Sequence, residues 1–250
     1  MIDIDKTASR FQKAHQSYAQ HAIVQRDICQ TLMAAMSKVC AVRHFEQVLE
    51  IGCGCGFLTQ EFFAHFGAKT LYLNDLYPQA MHQSVPDEVK VHHLVGDIRT
   101  QSLPDSLQLV MSSSALQWVY PLQKMFVKLS DALLSGGLLA ISVFGQNNLW
   151  QIRHLTGQGL DYHTLDELVD FCAWAGFALK WIHQESRTLY FDTPKAVLRH
   201  LQATGVTSTS QDFRWNKQSL MAFEQNYEAW ASTQGVPLTY DPIYLIAQKL

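Results

Sequence analysis

The chain has 250 residues, 48% of them hydrophobic, which suffices for one sizeable core in a medium-sized domain or a domain with an insertion. Only 16% are charged, below the quarter or so usual in soluble domains, and 11% are aromatic, a composition that predicts apolar pockets or covers. A formal net charge of -3 argues against a nucleic-acid partner, no apolar run reaches the ~18 residues of a membrane span, and Met1 to Phe11, with Asp3, Asp5, Lys6 and Arg10, has no signal-peptide core, so a cytoplasmic protein without membrane attachment is expected.

The first glycine is Gly52 and the first proline Pro78, so the opening stretch is free of helix breakers and predicts two helices. Phe11, Ala14, Tyr18 and Ala22 mark one apolar face, and Val24, Ile28, Leu32, Ala35 and Val39 mark the next. From Gln47 onward short apolar runs alternate with helical patterns, the signature of an α/β fold. Strands are predicted at 47–51, 70–74, 91–95, 107–111 and 138–144, all apolar enough to be buried on both faces of a parallel sheet. Between them, Phe57 to Phe66 reads as a helix closed by Gly67, and Pro121 opens another that Gly136 and Gly137 terminate. Thr164 and Glu167 have capping-box spacing and open a helix through Ala175 that stops at Gly176. A long strand at 177–191, helices at 196–203 and 218–232, a Thr- and Ser-rich loop at 204–212 and a last strand at 243–248 complete the chain, with no linker or repeat that would divide it.

The five cysteines, Cys29, Cys40, Cys53, Cys55 and Cys172, are irregularly spaced and read as reduced thiols, and no metal site is predicted. His92 and His93 point to opposite faces if they sit on a strand.

The most informative segment is Val48-Leu-Glu-Ile-Gly-Cys-Gly-Cys-Gly-Phe57, a buried strand running into three glycines spaced by two. Glycines there let the backbone turn tightly and approach a ligand. Asp75, at the end of the next strand, can accept hydrogen bonds from both ribose hydroxyls of a nucleoside. Asp97, at the end of the third, can accept from an adenine amino group, with Ile98 packing on the ring. The G-x-G-x-G spacing differs from the G-x-G-x-x-G of dinucleotide sites, so a phosphate-free nucleoside fits better. Glu50, just before the glycines, can hold amide donors of the loop or face a cationic ligand; capping or turn formation is the plain structural alternative for all three carboxylates.

These residues, with Leu133-Leu-Ser-Gly-Gly-Leu-Leu139, resemble the class I S-adenosylmethionine-dependent methyltransferases over roughly Gln47 to Phe144. The resemblance implies a Rossmann-like fold: a mostly parallel seven-stranded sheet with helices on both faces, a helical lid from the N-terminus and an insertion before the last strand. It also implies S-adenosylmethionine as cofactor, held by Glu50, Gly52, Cys53, Gly54, Gly56, Asp75, Leu76, Asp97, Ile98 and Ser113. Cys55 stands where Thr, Ser or Pro is usual, placing a thiol open to oxidation near the cofactor.

Ser112-Ser-Ser-Ala-Leu-Gln-Trp118 follows the fourth strand, the edge from which catalytic groups project in open α/β sheets. Gln117 and Trp118 offer neutral N–H donors able to hold a carboxylate, which is already ionised at neutral pH and needs alignment rather than a general base; a core aromatic and a plain strand end are the alternatives. The Leu-Gln-Trp element, residues 11–22 with Gln25, residues 197–205 and residues 237–240 are together similar to the malonyl-acyl-carrier-protein O-methyltransferase family of biotin synthesis, over nearly the whole chain. That implies esterification of the free carboxylate of a malonyl thioester on acyl carrier protein or coenzyme A, with Arg199 pairing with the carboxylate or binding the carrier, and with Tyr18 and Tyr240 near the reacting group. The expected layout is one methyltransferase domain, with a helical cover at 1–45, a cofactor core at 46–191, a helical insertion or lid at 192–236 and the final strand at 237–250. Basic residues for an acidic carrier would come from Arg153, His154, Lys180, Arg187, Lys195, Arg199 and His200. Leu-Gln-Trp also occurs in methyltransferases of free small acids such as aconitate, which stay open as an alternative; a nicotinamide-dependent dehydrogenase is disfavoured by the glycine spacing, and a non-catalytic binding protein by the intact cofactor loop.

Overall fold

The apolar runs of the first half become five parallel strands: β1 (His44–Ile51), β2 (Gly67–Asp75), β3 (Lys90–Val95), β4 (Leu107–Ser113) and β5 (Leu133–Phe144). In the computed structural model, which describes residues 4–81, 84–206 and 215–250, they form one sheet with β6 (Phe177–Gln184) and β9 (Pro242–Lys249). The strand order is β3-β2-β1-β4-β5-β9-β6, with β9 antiparallel to both neighbours. The order reverses between β1 and β4, where Ile51 pairs with Ser112, so a crevice opens at the carboxyl ends of these strands.

Alternation along the strands divides the core into two layers. Val48, Leu71, Leu73, Leu109, Met111, Tyr244 and Ile246 face one side, where α2 (Ile23–Val39) buries Ile28, Leu32 and Met36 and α3 (Phe57–His65) buries Leu58 and Phe62. Leu49, Ile51, Val110, Leu139, Ile141, Ile243 and Leu245 face the other, against Met125, Phe126 and Leu129 of α4 (Leu122–Ala132) and Leu168 of α6 (Leu165–Trp174). Truncating any one of these fully buried side chains to Ala costs roughly 2–5 kcal/mol. On the first side the sheet also carries α7 (Pro194–Ala203) and α8 (Lys217–Glu228), while α1 (Ile4–His21) touches α7, with the Ser17 hydroxyl donating to the Ala203 carbonyl at 2.9 Å.

The predicted caps hold at α6, where Thr164 accepts from the Glu167 amide at 3.1 Å and the Glu167 carboxylate accepts from the Thr164 amide at 2.8 Å. Elsewhere tertiary contacts move the boundaries. α4 ends at Ala132 instead of at Gly136, because Lys249 from β9 donates to the carbonyls of Ser130 (2.6 Å) and Leu133 (2.7 Å) and closes the helix early. Gly137 then lies inside β5, where a Cβ would meet the Leu134 carbonyl at 2.8 Å. α3 likewise stops at His65, and Gly67 opens β2.

The long strand expected at 177–191 is two strands in two sheets. β6 edges the main sheet, and β7 (Arg187–Phe191) turns away to pair with β8 (Val236–Tyr240). The break is pinned by Glu185, which accepts from the Tyr244 hydroxyl at 2.5 Å and from Arg187 at 2.8 Å, while Arg187 also reaches Thr31 and Asp27 on α2. The final strand expected at 237–250 is two strands in two sheets, β8 and β9, and no sequence pattern predicted the short α5 (Trp150–Thr156). The loop expected at 204–212 lies mostly outside the described residues.

Candidate active site

Three loops at the carboxyl ends of β1, β2 and β3 are tied together by their backbones. The amides of Gly52 and Cys53 donate to the Asn74 carbonyl at 2.8 and 3.0 Å, and the Gly96 amide donates to the Asp75 carbonyl at 2.7 Å. The side-chain amide of Asn74 donates to the carbonyls of Leu94 (2.7 Å) and Gly96 (2.9 Å). Gly52 has φ +72°, and a Cβ on it would sit 2.3 Å from the Ala115 Cβ, so its missing side chain is required by the β4 loop packed on it. Gly54 has φ +52° and its Cβ direction is open, with nothing nearer than the Gly52 carbonyl at 3.9 Å. Gly52 therefore serves the fold, and Gly54 leaves room for a ligand.

The cavity over these loops has an empty volume of about 1110 Å³, mouth included. It gathers Tyr18, Glu50, Gly52, Cys53, Gly54, Asp75, Leu76, Asp97, Ile98, Ser113 and Trp118, while Gly56, at φ +83°, stands behind the loop as the N-cap of α3. Among the predicted site residues, Gly56, Gln117 and Arg199 are outside its walls. No lysine or arginine among the described residues lines it. The aromatic wall is built by contacts across the chain: Tyr18 stacks on Phe57 at 6.2 Å, and Phe11 meets Trp118 edge-on at 5.5 Å. An acidic, aromatic hollow with no cation among its described walls suits a positively charged nucleoside.

The carboxylates divide the work. Asp75 accepts from the Gly54 amide at 2.8 Å on one oxygen and from the Leu76 amide at 2.7 Å on the other, leaving lone pairs for a ribose diol. Burial pushes its pKa up to about 6 against the pull of those amides. Glu50 accepts from the Thr59 hydroxyl at 2.6 Å, whereas its Oε1 is buried with no partner. Burial raises the Glu50 carboxyl to about 8, the Thr59 bond opposing and the nearby Asp75 adding to the shift. Asp97 is only partly buried; burial disfavours its charge, but the Arg99 guanidinium, donating to both of its oxygens at 2.7 to 3.1 Å, holds it below the ordinary carboxylate range. Its adenine-facing capacity is thus shared with a surface ion pair.

Cys29, Cys53 and Cys55 line the same cavity. Burial pushes the thiol of Cys55 up to about 11 and that of Cys29 to about 12, which keeps both protonated and poorly nucleophilic. Cys55 is the partly exposed one of the three, at the cavity wall.

Beyond Trp118 two smaller cavities continue the hollow, and Trp118 lines all three. The inner one is walled by Tyr18, Gln25, Gln117, Tyr162 and Tyr240, among others. Gln117 donates its Nε2 to the Ser114 carbonyl at 2.6 Å and leaves Oε1 buried and unpartnered, so its amide is turned differently from the free donor expected. The outer cavity carries Arg153 from α5, among the described residues the one lysine or arginine in the walls of the three. Arg199 is exposed on α7 and lines none of them. Arg153 was legible only as a surface charge, because α5 is short and without a strong period; Gln25 carried no chemical signal in the sequence.

Strand order, glycine loop and acidic strand ends define a class I methyltransferase, for which S-adenosylmethionine is the cofactor, and residues 49–141 match a family model described as a methyltransferase domain. The chain is 42% identical over 253 aligned positions to the malonyl-[acyl-carrier protein] O-methyltransferase of Acinetobacter baylyi, covering 99% of this chain and 98% of that one. It belongs to that family. Solved structures share the fold at low identity: a Bacillus halodurans protein assigned to the methyltransferases (TM-score 0.63, 14% identity, 87% of this chain and 98% of that one) and the N-methyltransferase NodS of Bradyrhizobium japonicum bound to S-adenosylhomocysteine (TM-score 0.51, 13% identity, 88% and 85%).

Proposed function

We propose that this protein methylates the free carboxylate of a malonyl thioester carried on acyl carrier protein, an early step of biotin synthesis, acting in the cytoplasm as one methyltransferase domain under a helical cover. The observation that carries the reading is the run of adjoining cavities: an acidic hollow for the cofactor, Trp118 lining all three, and a side cavity whose described walls hold Arg153.

S-adenosylmethionine supplies an electrophilic methyl on a sulfonium. Gly54 would leave room for it, and Asp75 and Glu50 would accept from its hydroxyl and amino donors. A malonyl carboxylate is ionised at neutral pH, so no side chain has to remove a proton. The chain's task is alignment and exclusion of water. Trp118, Tyr18 and Gln117 wall the meeting point. Arg153 attracts the anion from a distance, which avoids over-stabilising a charge that disappears as the ester forms. Arg199 and Lys195, on the exposed side of α7, receive the acidic carrier at the surface. No described helix is long and apolar enough to cross a membrane.

Mass spectrometry of malonyl-carrier protein after incubation with this protein and S-adenosylmethionine is expected to show one added methyl per malonyl group. Equal or better turnover of free malonate or aconitate would remove the carrier from the proposal.

A further inference from the structure

Two buried acceptor oxygens in the cofactor cavity have no hydrogen-bond partner: Oε1 of Glu50, a residue 1% exposed, and Oε1 of Gln25, 4% exposed. An orphaned buried acceptor costs about 1–3 kcal/mol, so two lining one hollow call for a donor from outside the chain. They come from opposite walls, Glu50 from the end of β1 and Gln25 from the first turn of α2. Cys29, one helical turn beyond Gln25, lines the same cavity as Gln25 and Glu50, so the two walls bound one hollow.

Tyr240, whose hydroxyl lies 2.8 Å from Nε2 of His200 on α7, lines the smaller inner cavity together with Gln25. Burial pushes the His200 imidazole down to about 4, with the charge of His21 adding to the shift, so the ring is neutral at ordinary pH and acts as a plain hydrogen-bond partner.

We infer that Gln25 is a cofactor-binding residue, its Oε1 and that of Glu50 together accepting the N–H donors of the cationic α-amino group on the amino-acid arm of the cofactor. A group with three donors and a positive charge matches two buried, unpartnered acceptors in one cavity, one of them a carboxyl, with no lysine or arginine among the described residues of its walls. The inference rests on the cofactor reading above and adds the position of the amino end, with the nucleoside at Asp75 and the ammonium between Glu50 and Gln25.

Titration calorimetry with S-adenosylhomocysteine and with its desamino analogue, on the wild type and on Gln25→Met, tests this without measuring turnover. A hydrogen bond to a charged group corresponds to roughly tenfold or more in affinity. The wild type is expected to prefer S-adenosylhomocysteine by at least that factor. Gln25→Met should lose about tenfold for S-adenosylhomocysteine while binding the desamino analogue within about twofold of the wild type, which also shows that the cavity has survived the substitution. Equal loss for both ligands would make Gln25 a purely structural residue, and no loss for either would overturn the assignment. A wild type that binds the two ligands alike overturns the ammonium subsite while leaving the nucleoside pocket standing. Binding of neither would bring down the cofactor reading itself.

Discussion

The cofactor side and the acceptor side of the hollow are built differently. Around Gly52, Asp75 and Gly96 the walls are loops joining adjacent parallel strands, and backbone hydrogen bonds lock each loop to the next. The acceptor side is assembled from α1, α2, α5, α7 and β8, elements far apart in the chain, held by side chains such as Tyr240 with His200 and Gln151 with Thr239. Rigid sheet-borne loops suit a ligand that must be placed to a fraction of an ångström. A wall of docked helices suits an acceptor that arrives on a long arm, because packed helices can part without disturbing the sheet.

Substitution on the cofactor side should therefore strike the fold as well as binding. Gly52→Ala brings a Cβ to 2.3 Å from the Ala115 Cβ and also places a side chain at φ +72°, so a loss of about 3–4 kcal/mol in urea unfolding is expected. Adding Ala115→Gly should recover the steric part and leave the backbone part. If Gly52→Ala alone unfolds like the wild type, the tight packing of these two loops is refuted.

The next effect is on pH dependence. Glu50 and Asp75 both have folded-state pKa values raised by burial, to about 8 and about 6, so the ligand-free fold keeps protons that the unfolded chain has already released. Their contribution is full below the ordinary carboxylate range and is lost as pH rises through 6 and then 8. Unfolding free energy of the ligand-free protein should fall by on the order of 3 kcal/mol between mildly acidic and alkaline buffer, and Glu50→Gln should flatten most of that slope. A wild-type curve that is level over this range would contradict the burial of Glu50.

A brace of the loop comes next. Asp75→Ala removes the acceptor of the Gly54 and Leu76 amides, and S-adenosylhomocysteine affinity by calorimetry should drop by roughly 30-fold or more. On the other side of the hollow the fold should tolerate change. Arg153→Ala is expected to lower kcat/KM for malonyl-carrier protein by about tenfold with cofactor affinity intact, and Arg199→Ala by only a few-fold, in a salt-dependent way. The reverse ranking of the two arginines would move the acceptor entrance to α7.

The half of the chain from β1 to β5 was legible because strands buried on both faces leave continuous apolar runs, and because the glycine loop, Asp75 and Asp97 mark successive strand ends. The Thr164 cap was legible for the same local reason. The stretch 177–191 misled because its apolar pattern continues through a break made by Glu185, Arg187 and Tyr244, whose meeting depends on a strand near the end of the chain. Gln25 and Arg153 escaped for a related reason: each is an ordinary polar residue on a helix until the fold closes a cavity around it.

The apolar runs that become β1 to β5, the glycine turn after β1 and the acidic residues at the strand ends are properties of neighbours in the chain, so local sequence determined them. Which carboxyl oxygen is left unpaired, which arginine reaches a cavity, which way Gln117 and Gln25 turn their amides and where α4 stops were decided only in the folded molecule. Each of these depends on the distance between groups separated by dozens of residues, and hydrogen bonding and desolvation act over a few ångströms of space rather than along the chain.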